Sequence, residues 1–576
     1  MQINYKRNYS RLVVKKCILF VLEHMSAIRS LTVAARKIVA RFVRINRAAT
    51  VRERKVVSER IGNVVTYKLL LLSLTALLTS CEVGPDYKRP TAPLQDKFKE
   101  AQGKTVIAPT PSKEWKVAEP KDQSDRGKWW QVFNDAKLNE LEEELDKNNQ
   151  NIANAYYNYQ QAYALVDEAR SAFFPTLIGS VDIVHQRPSS GGTSSDVSST
   201  GSISPIGGGA SSTSGTTTTH SINLNASWEP DIWGLVRREV EGAASSAQAS
   251  AALLAYTRLS AQASLAQYYF ELRGLDMDQK LLDETVVSYK KLLQYTINNY
   301  KAGVVDLANV AQVRGELEAA QGQALNNGVL RGQYEHAIAV LIGVPAGNFS
   351  LKPAPLTASP PAVPVSVPST LLERRPDIAQ AERLMEQANA NIGVAKAAYF
   401  PALTLSGLVD SVGSDLTPWI SLPQIGWTYG SQLSDTIYDG GLRSATVRAY
   451  TAAYLASVAS YRQTVLAAFQ NVEDSLVALR LLNEEAAVDY RAVSDAKLSL
   501  QLVTNQYDSG VVDISSILTA QINAYAVEKT AADVNFVRMT SAVALITALG
   551  GGWNVSEIAK AGVVDQTEPR PSGSGK

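Results

Sequence analysis

The chain runs to 576 residues, 45% of them apolar, with 56 Lys and Arg against 55 Asp and Glu for a formal charge of +1. Its two cysteines, Cys17 and Cys81, and four scattered histidines, His24, His185, His220 and His336, build neither a disulfide framework nor a zinc site. The near-neutral total conceals a polarised chain, because residues 1–63 alone carry 15 Lys and Arg against 3 Asp and Glu.

That basic leader ends in a short greasy run. Leu69 to Leu78 is about half of the roughly 20 apolar residues that a membrane-spanning helix needs. It follows Lys68 and closes in small residues, the pattern of a signal-peptide apolar core with its cleavage site. Leu78-Thr79-Ser80-Cys81 looks like a bacterial lipobox, with cleavage before Cys81 and lipidation of that cysteine. Glu82 follows where inner-membrane retention uses Asp, which points to the outer membrane. Residues 1–63 read as lying upstream of a true start near Val64 or Val65. Removing residues 1–80 leaves 40 basic and 52 acidic residues, and a chain near −12 offers nucleic acid no partner.

Residues 81–128 are rich in proline and charge and read as an extended, lipid-anchored tether. Beyond them the chain repeats itself. QAYALVDEARSAFFPTL at 161–177 matches QANANIGVAKAAYFPAL at 387–403, and YKAGVVDL at 300–307 matches YDSGVVDI at 507–514, in the same order. The spacing predicts two units, 129–350 and 351–556, ahead of a disordered tail at 557–576. Each unit runs helix, strand pair, very long helix, then a second helix after a Gly-Val turn.

In the first unit, strands are expected near 176–186 and 220–229. HSINLNASWE alternates cleanly, with Ile222, Leu224, Ala226 and Trp228 on one side and Ser221, Asn223, Asn225 and Ser227 on the other. Between these strands, 25 of the 31 residues from Ser189 to Thr219 are Ser, Thr or Gly, a composition that cannot fold compactly and suits an extracellular loop, 187–219. Trp228 and Trp233 bracket a strand-to-helix junction as interfacial anchors. In the second unit, strands are expected near 402–412 and 427–437. Pro376 in RRPD suits the first turn of a helix, while Arg374, Arg375 and Asp377 read as a solvated helix start or as ion pairs between helices.

The helix of residues 442–508 carries one stripe, Val447, Tyr450, Tyr454, Val458, Tyr461, Val465, Ala468, Val472, Leu476 and Leu479. At 1.5 Å per residue it reaches roughly 100 Å, three times a bilayer's hydrocarbon core, so it stands in water and its stripe packs as a coiled coil. Strands of about ten residues suit a tilted membrane barrel. Four cannot close, and lipid tolerates no open edge, so copies of the chain must pool strands; three copies make twelve.

The motifs CEVGPDYKRP from Cys81, LLERRPDIAQAE from Leu371, FFP and YFP, AFQNVEDSLVAL from Ala468, the paired GVVD turns and ALGGGW from Ala548 together span Cys81 to Trp553. On these the chain resembles TolC-like outer-membrane efflux factors, closest to the lipoprotein branch typified by OprM and NodT. The resemblance implies a homotrimer whose twelve-stranded transmembrane β-barrel continues into a long periplasmic α-helical tunnel. It also implies the role of exit duct in a tripartite pump, for small amphiphilic molecules or drugs. The implied partners are outer membrane lipid, a periplasmic adaptor (membrane fusion) protein and an inner-membrane transporter of the resistance-nodulation-division type. A type I protein-secretion duct and a pore-less structural lipoprotein are the alternatives.

The resemblance places adaptor docking at the tip turns, Gly303 and Val304 with Gly510 and Val511. Asp306 and Asp513 follow those turns and serve either as helix N-caps or as carboxylates of a periplasmic gate. Ser516 and Thr519 stand where relatives often carry acidic gate residues. No Ser-His-Asp set, phosphate-binding loop or metal spacing points to an enzyme, and no cofactor is implied.

Overall fold

The computed structural model describes residues 83–93, 98–100, 128–187, 216–356, 360–361, 375–413 and 425–551. The leader, Cys81, Arg374, most of the Ser/Thr/Gly segment and the C-terminal tail lie outside the described residues. The elements follow as α1 (Ala136–Asn148), α2 (Gln150–Ser171), β1 (Thr176–Gln186), β2 (Thr217–Trp228), α3 (Leu235–Lys301), α4 (Leu307–Leu341), α5 (Pro376–Ala397), β3 (Ala402–Gly413), β4 (Ile425–Ser434), α6 (Leu442–Asp508) and α7 (Ile514–Ala548). The duplication is written in their lengths: α2 and α5 have 22 residues each, α3 and α6 have 67, and α4 and α7 have 35. No described helix is long and apolar enough to cross a membrane.

The chain divides into two units, one comprising residues up to Asp86, 167–240 and 390–450, the other comprising 87–166, 241–389 and 451 onward. The first holds an antiparallel sheet in the order β1-β2-β3-β4. Register sorts its side chains by chemistry. Leu177 faces Ala226, Val181 faces Ile222, Leu224 faces Val409, Val409 faces Trp427 and Leu403 faces Leu433, all on one face. Thr404 opposite Gln432, Ser180 opposite Asn223 and Asn223 opposite Asp410 stand on the other. The apolar face is bare in the single chain, with Leu177 67%, Trp427 69% and Leu433 68% exposed. Such alternation belongs to a wall with hydrocarbon on one side and water on the other.

β4 starts at Ile425 and stops at Ser434, short of the expected 437. Arg443 accounts for the stop: it ion-pairs with Asp435 at 3.5 Å and donates to the Thr436 carbonyl, while Asp439 caps the backbone N–H groups of Gly441 and Arg443 at 2.8 and 3.1 Å. These bonds turn the chain out of the ladder and into α6.

The second unit is helical and carries two main cores. In one, Trp129, Trp130 and Phe133 pack with Leu138, Leu141 and Leu145 of α1, Leu265 and Phe270 of α3, Ile338 of α4 and Val543 of α7. The other gathers the α6 stripe from Val458 through Tyr461, Val465, Ala468 and Val472 to Leu476, against Ile378, Met385 and Leu545. Tyr450, further up the stripe, is exposed. Phe98 is buried in the same core, and its neighbours Lys99 and Glu100 donate their N–H groups to Glu473 at 2.8 and 3.1 Å. Residues 98–100 of the expected tether are thus held against α6.

Arg375 corrects the solvated helix start. It is buried, its guanidinium forks onto Asp377 at 3.0 and 2.7 Å, and it donates to the Ala548 carbonyl at 2.9 Å at the end of α7. An unpaired buried helix terminus is costly, and a guanidinium with its own carboxylate satisfies this one without leaving a bare charge.

Candidate functional site: the hairpin tips and the strand junctions

The α3–α4 and α6–α7 connections close by the same turn. Gly303 and Gly510 both take φ +74, Val304 N–H donates to Asn299 O at 2.9 Å and Val511 N–H to Gln506 O at 2.9 Å. This 6→1 bond past a left-handed residue is a Schellman cap. A Cβ at either glycine would meet nothing within 4 Å, so glycine is required by backbone angle and not by space. Val304 and Val511 are left 70% and 72% exposed at the two apices.

The two aspartates after the turns differ. Asp513 caps α7: its Oδ1 accepts the Ser516 N–H at 3.1 Å and the hydroxyls of Ser515 and Ser516 at 2.8 and 2.9 Å. Those bonds, the hydroxyl of Ser515 first, hold its carboxyl below the ordinary range. Asp306 occupies the equivalent position before α4 but makes no side-chain cap bond. Thr519 turns its hydroxyl back onto the Ser515 carbonyl of its own helix at 2.8 Å. The structure thus brings Ser516 to Asp513 and leaves Thr519 and Asp306 outside that cluster. Asp513→Ala is expected to lower the melting temperature more than Asp306→Ala, because only the first removes a formed cap; equal losses in paired thermal melts would contradict this.

Behind the turns the four helices are tied by residues that the sequence pattern does not single out. Asn299 of α3 donates to Tyr507 Oη at 3.1 Å, and the Tyr295 and Tyr507 rings meet edge to face with centroids 5.7 Å apart. Tyr507 also packs with Val313, Ile514 and Ile517. A signal was present, since tyrosine precedes the turn glycine by three residues in both repeats, at Tyr300 and Tyr507.

The strand junctions use the two tryptophans differently from simple surface anchors. Trp228 Nε1 donates to Phe173 O of the FFP string at 3.0 Å, and Trp233 Nε1 to Pro401 O of the YFP string at 2.8 Å, with Trp233 stacked on Phe400 at 4.8 Å. Each indole closes one helix-to-strand corner. The described chain opens at Val83, whose N–H donates to Trp233 O at 3.1 Å. Gly84, at φ +128, lies so close to Gly393 that a Cβ would sit 2.7 Å from its Cα, and Asp86 pairs with the buried Arg238 at 3.1 Å. The string after Cys81 is therefore a clip onto the base of the sheet unit. Among the described residues no group of three His, Cys, Asp or Glu could hold a metal ion.

The model of the family described as outer membrane efflux protein matches residues 141–344 and 367–551. The chain is 30% identical over 492 residues, 85% of its length and 96% of the relative's, to a probable efflux pump outer membrane protein, TtgC, of Pseudomonas putida. It is 26% identical over 494 residues, covering 84% of itself and 99% of the relative, to the cation efflux system protein CusC of Escherichia coli. Among solved structures, the outer-membrane channel OprN superposes with a TM-score of 0.71 at 25% identity, over 82% of this chain and 100% of that one.

Proposed function

The chain belongs to the outer membrane efflux protein family, and from that membership we propose that it works as the outer-membrane exit duct of a tripartite efflux system of the resistance-nodulation-division type, exporting small amphiphilic molecules. The observation that carries the proposal is the sheet: four antiparallel strands, one apolar face, one polar face, and β1 and β4 at its two ends. Lipid leaves no strand edge unpaired. Three copies joined edge to edge supply twelve strands and a lumen wide enough for water, lined by the polar face. A homotrimer lipidated at Cys81 and clipped at Gly84 and Asp86 holds its barrel at the outer membrane while the helices reach the periplasm.

In this scheme the tips dock a periplasmic adaptor. Val304 and Val511 are apolar knobs raised on rigid turns, suited to the groove of a partner helix, and Asp306, Asp513, Ser516 and Thr519 border the gate beside them. Opening is a shift in population toward a dilated tip, which the adaptor favours by binding it better. The Asn299–Tyr507 bond is among the contacts that dilation must break.

A photoreactive residue at position 511, in cells that keep the native lipid anchor, tests this directly. Capture of an adaptor encoded with a resistance-nodulation-division transporter is expected. Capture of an adaptor of an ATP-driven exporter would reassign the duct to polypeptide secretion, and capture of neither would remove the docking role from Val511.

A further inference from the structure

The charge of the barrel wall is one-sided. Across both hairpins, residues 176–228 and 402–434, the sequence holds five charged residues: Asp182, Arg187, Asp196, Asp410 and Asp415. Only Asp182 and Asp410 lie within strands, and Arg187 stands one residue beyond β1. The four strands contain neither Lys, Arg nor Glu.

Register brings both carboxylates to the polar face. Asn223 of β2 is paired across β1 by Ser180 and across β3 by Asp410, and Asp182 lies two residues along from Ser180 on the same side. The Asp182 carboxylate accepts from Asn223 Nδ2 at 3.0 Å and from Ser180 Oγ at 3.3 Å. Asp410 leans along the wall over β4, where a Cβ on Gly426 would come within 2.7 Å of its Oδ1. The row Ser180, Asn223, Asp410, Gly426 thus crosses all four strands, and among the described residues no Lys or Arg ion-pairs with Asp182 or Asp410. The opposite face, with Val181, Leu224, Val409 and Trp427, is the one that hydrocarbon accepts, since charge on the lipid side of a barrel is destabilising.

We infer that Asp182 and Asp410 are selectivity-determining residues that make the barrel lumen prefer cations, so that positively charged solutes pass more readily than anions of the same size. The inference rests on the exit-duct reading. In a trimer the two positions place six carboxylates around one short length of lumen, and rings of Asp and Glu are the usual source of cation preference in pores. Their field reaches only about 10 Å in 0.1 M salt, so the preference weakens as ionic strength rises.

The test uses the purified full-length protein in planar bilayers, with the reversal potential read under a KCl gradient. Wild type is expected to reverse toward the potassium potential at low salt and to lose that displacement at high salt. The D182N/D410N variant is expected to bring the potassium-to-chloride permeability ratio toward one. D410N alone, which disturbs no hydrogen bond of the row, is expected to shift it part of the way and serves should the double variant assemble poorly. The tip variant D306N/D513N is the comparator. Conducting channels whose selectivity is untouched by the barrel variants, or moved by the tip variant only, would overturn the inference while leaving the duct intact; folded wild-type protein that passes no current would overturn both.

Discussion

Asp276→Ala is expected to destabilise the helical unit by roughly 3–5 kcal/mol, the usual result of removing one partner from a buried ion network. The Asp276 side chain is 1% exposed and sits between two guanidinium groups, accepting from Arg273 Nη1 at 3.0 Å and from Arg331 Nε at 2.7 Å. It also accepts the Ala354 N–H at 2.9 Å. Both arginines in turn hold the chain that joins the two repeats: Arg331 donates to Leu351 O at 2.6 Å and Arg273 to Lys352 O at 2.8 Å, while Glu335 accepts the Leu351 N–H. Asp276 therefore bridges the two cations that fasten the inter-repeat segment to α3 and α4, and Arg331 alone has a second carboxylate, that of Glu335 at 3.1 Å. Truncation takes the carboxylate from Arg273, leaves Arg331 with Glu335 only, and frees the Ala354 backbone donor. Asp276→Asn keeps the shape and an acceptor for Ala354 but not the charge, so an intermediate loss is expected. Thermal melts followed by circular dichroism, with limited proteolysis at residues 351–356, check this; a melting point unchanged in the alanine variant would mean that Glu335 alone suffices.

The elements that could be read from sequence are those whose signal is local and repeated. The stripe from Tyr454 to Leu479, the paired Gly-Val turns and the alternation through Ile222, Leu224 and Ala226 each declare themselves within a few residues. The ties that join elements do not. Trp228 meets a carbonyl 55 residues away and Trp233 one 168 residues away, and nothing in either indole's neighbourhood names that partner. Arg375 looks solvated beside Arg374, yet the partner that buries it is the end of a helix closing at Ala548. The tip residues fall between these cases. Their turn was legible because the backbone angle demands glycine, whereas the difference between Asp306 and Asp513 depends on which neighbouring hydroxyls the helix start brings within reach: Ser515 and Ser516 after one, Ala308 and Asn309 after the other.

Glu142 is buried like Arg375 but lacks its ion pair, and its replacement is expected to stabilise. It stands in a run of three glutamates, Glu142-Glu143-Glu144, that reads as a solvated helix face. Glu143 behaves so, pairing with Lys128 at the surface. Glu142 instead shares the buried face of α1 with Leu138, Leu141 and Leu145, is 0% exposed, and among the described residues has no hydrogen-bond partner for either carboxylate oxygen. Burial, and then the neighbouring Asp146, push its carboxyl well above the ordinary carboxylate range, so the folded protein keeps this proton. The sign follows from linkage. Below about 4.3, the ordinary value for an unfolded glutamate, both states hold the proton and stability is unaffected. As pH rises past that value only the unfolded chain releases it, so the wild type loses stability until the folded-state value is passed. Glu142→Leu removes an unsatisfied buried polar group worth roughly 1–3 kcal/mol and abolishes this titration. Glu142→Gln abolishes the titration but keeps a polar group in the core, so it should flatten the pH dependence with a smaller gain. Melting temperatures of the three proteins across the acid-to-neutral range decide the matter: the gap between leucine variant and wild type should widen as pH rises, and parallel curves would show that Glu142 carries no extra proton in the fold.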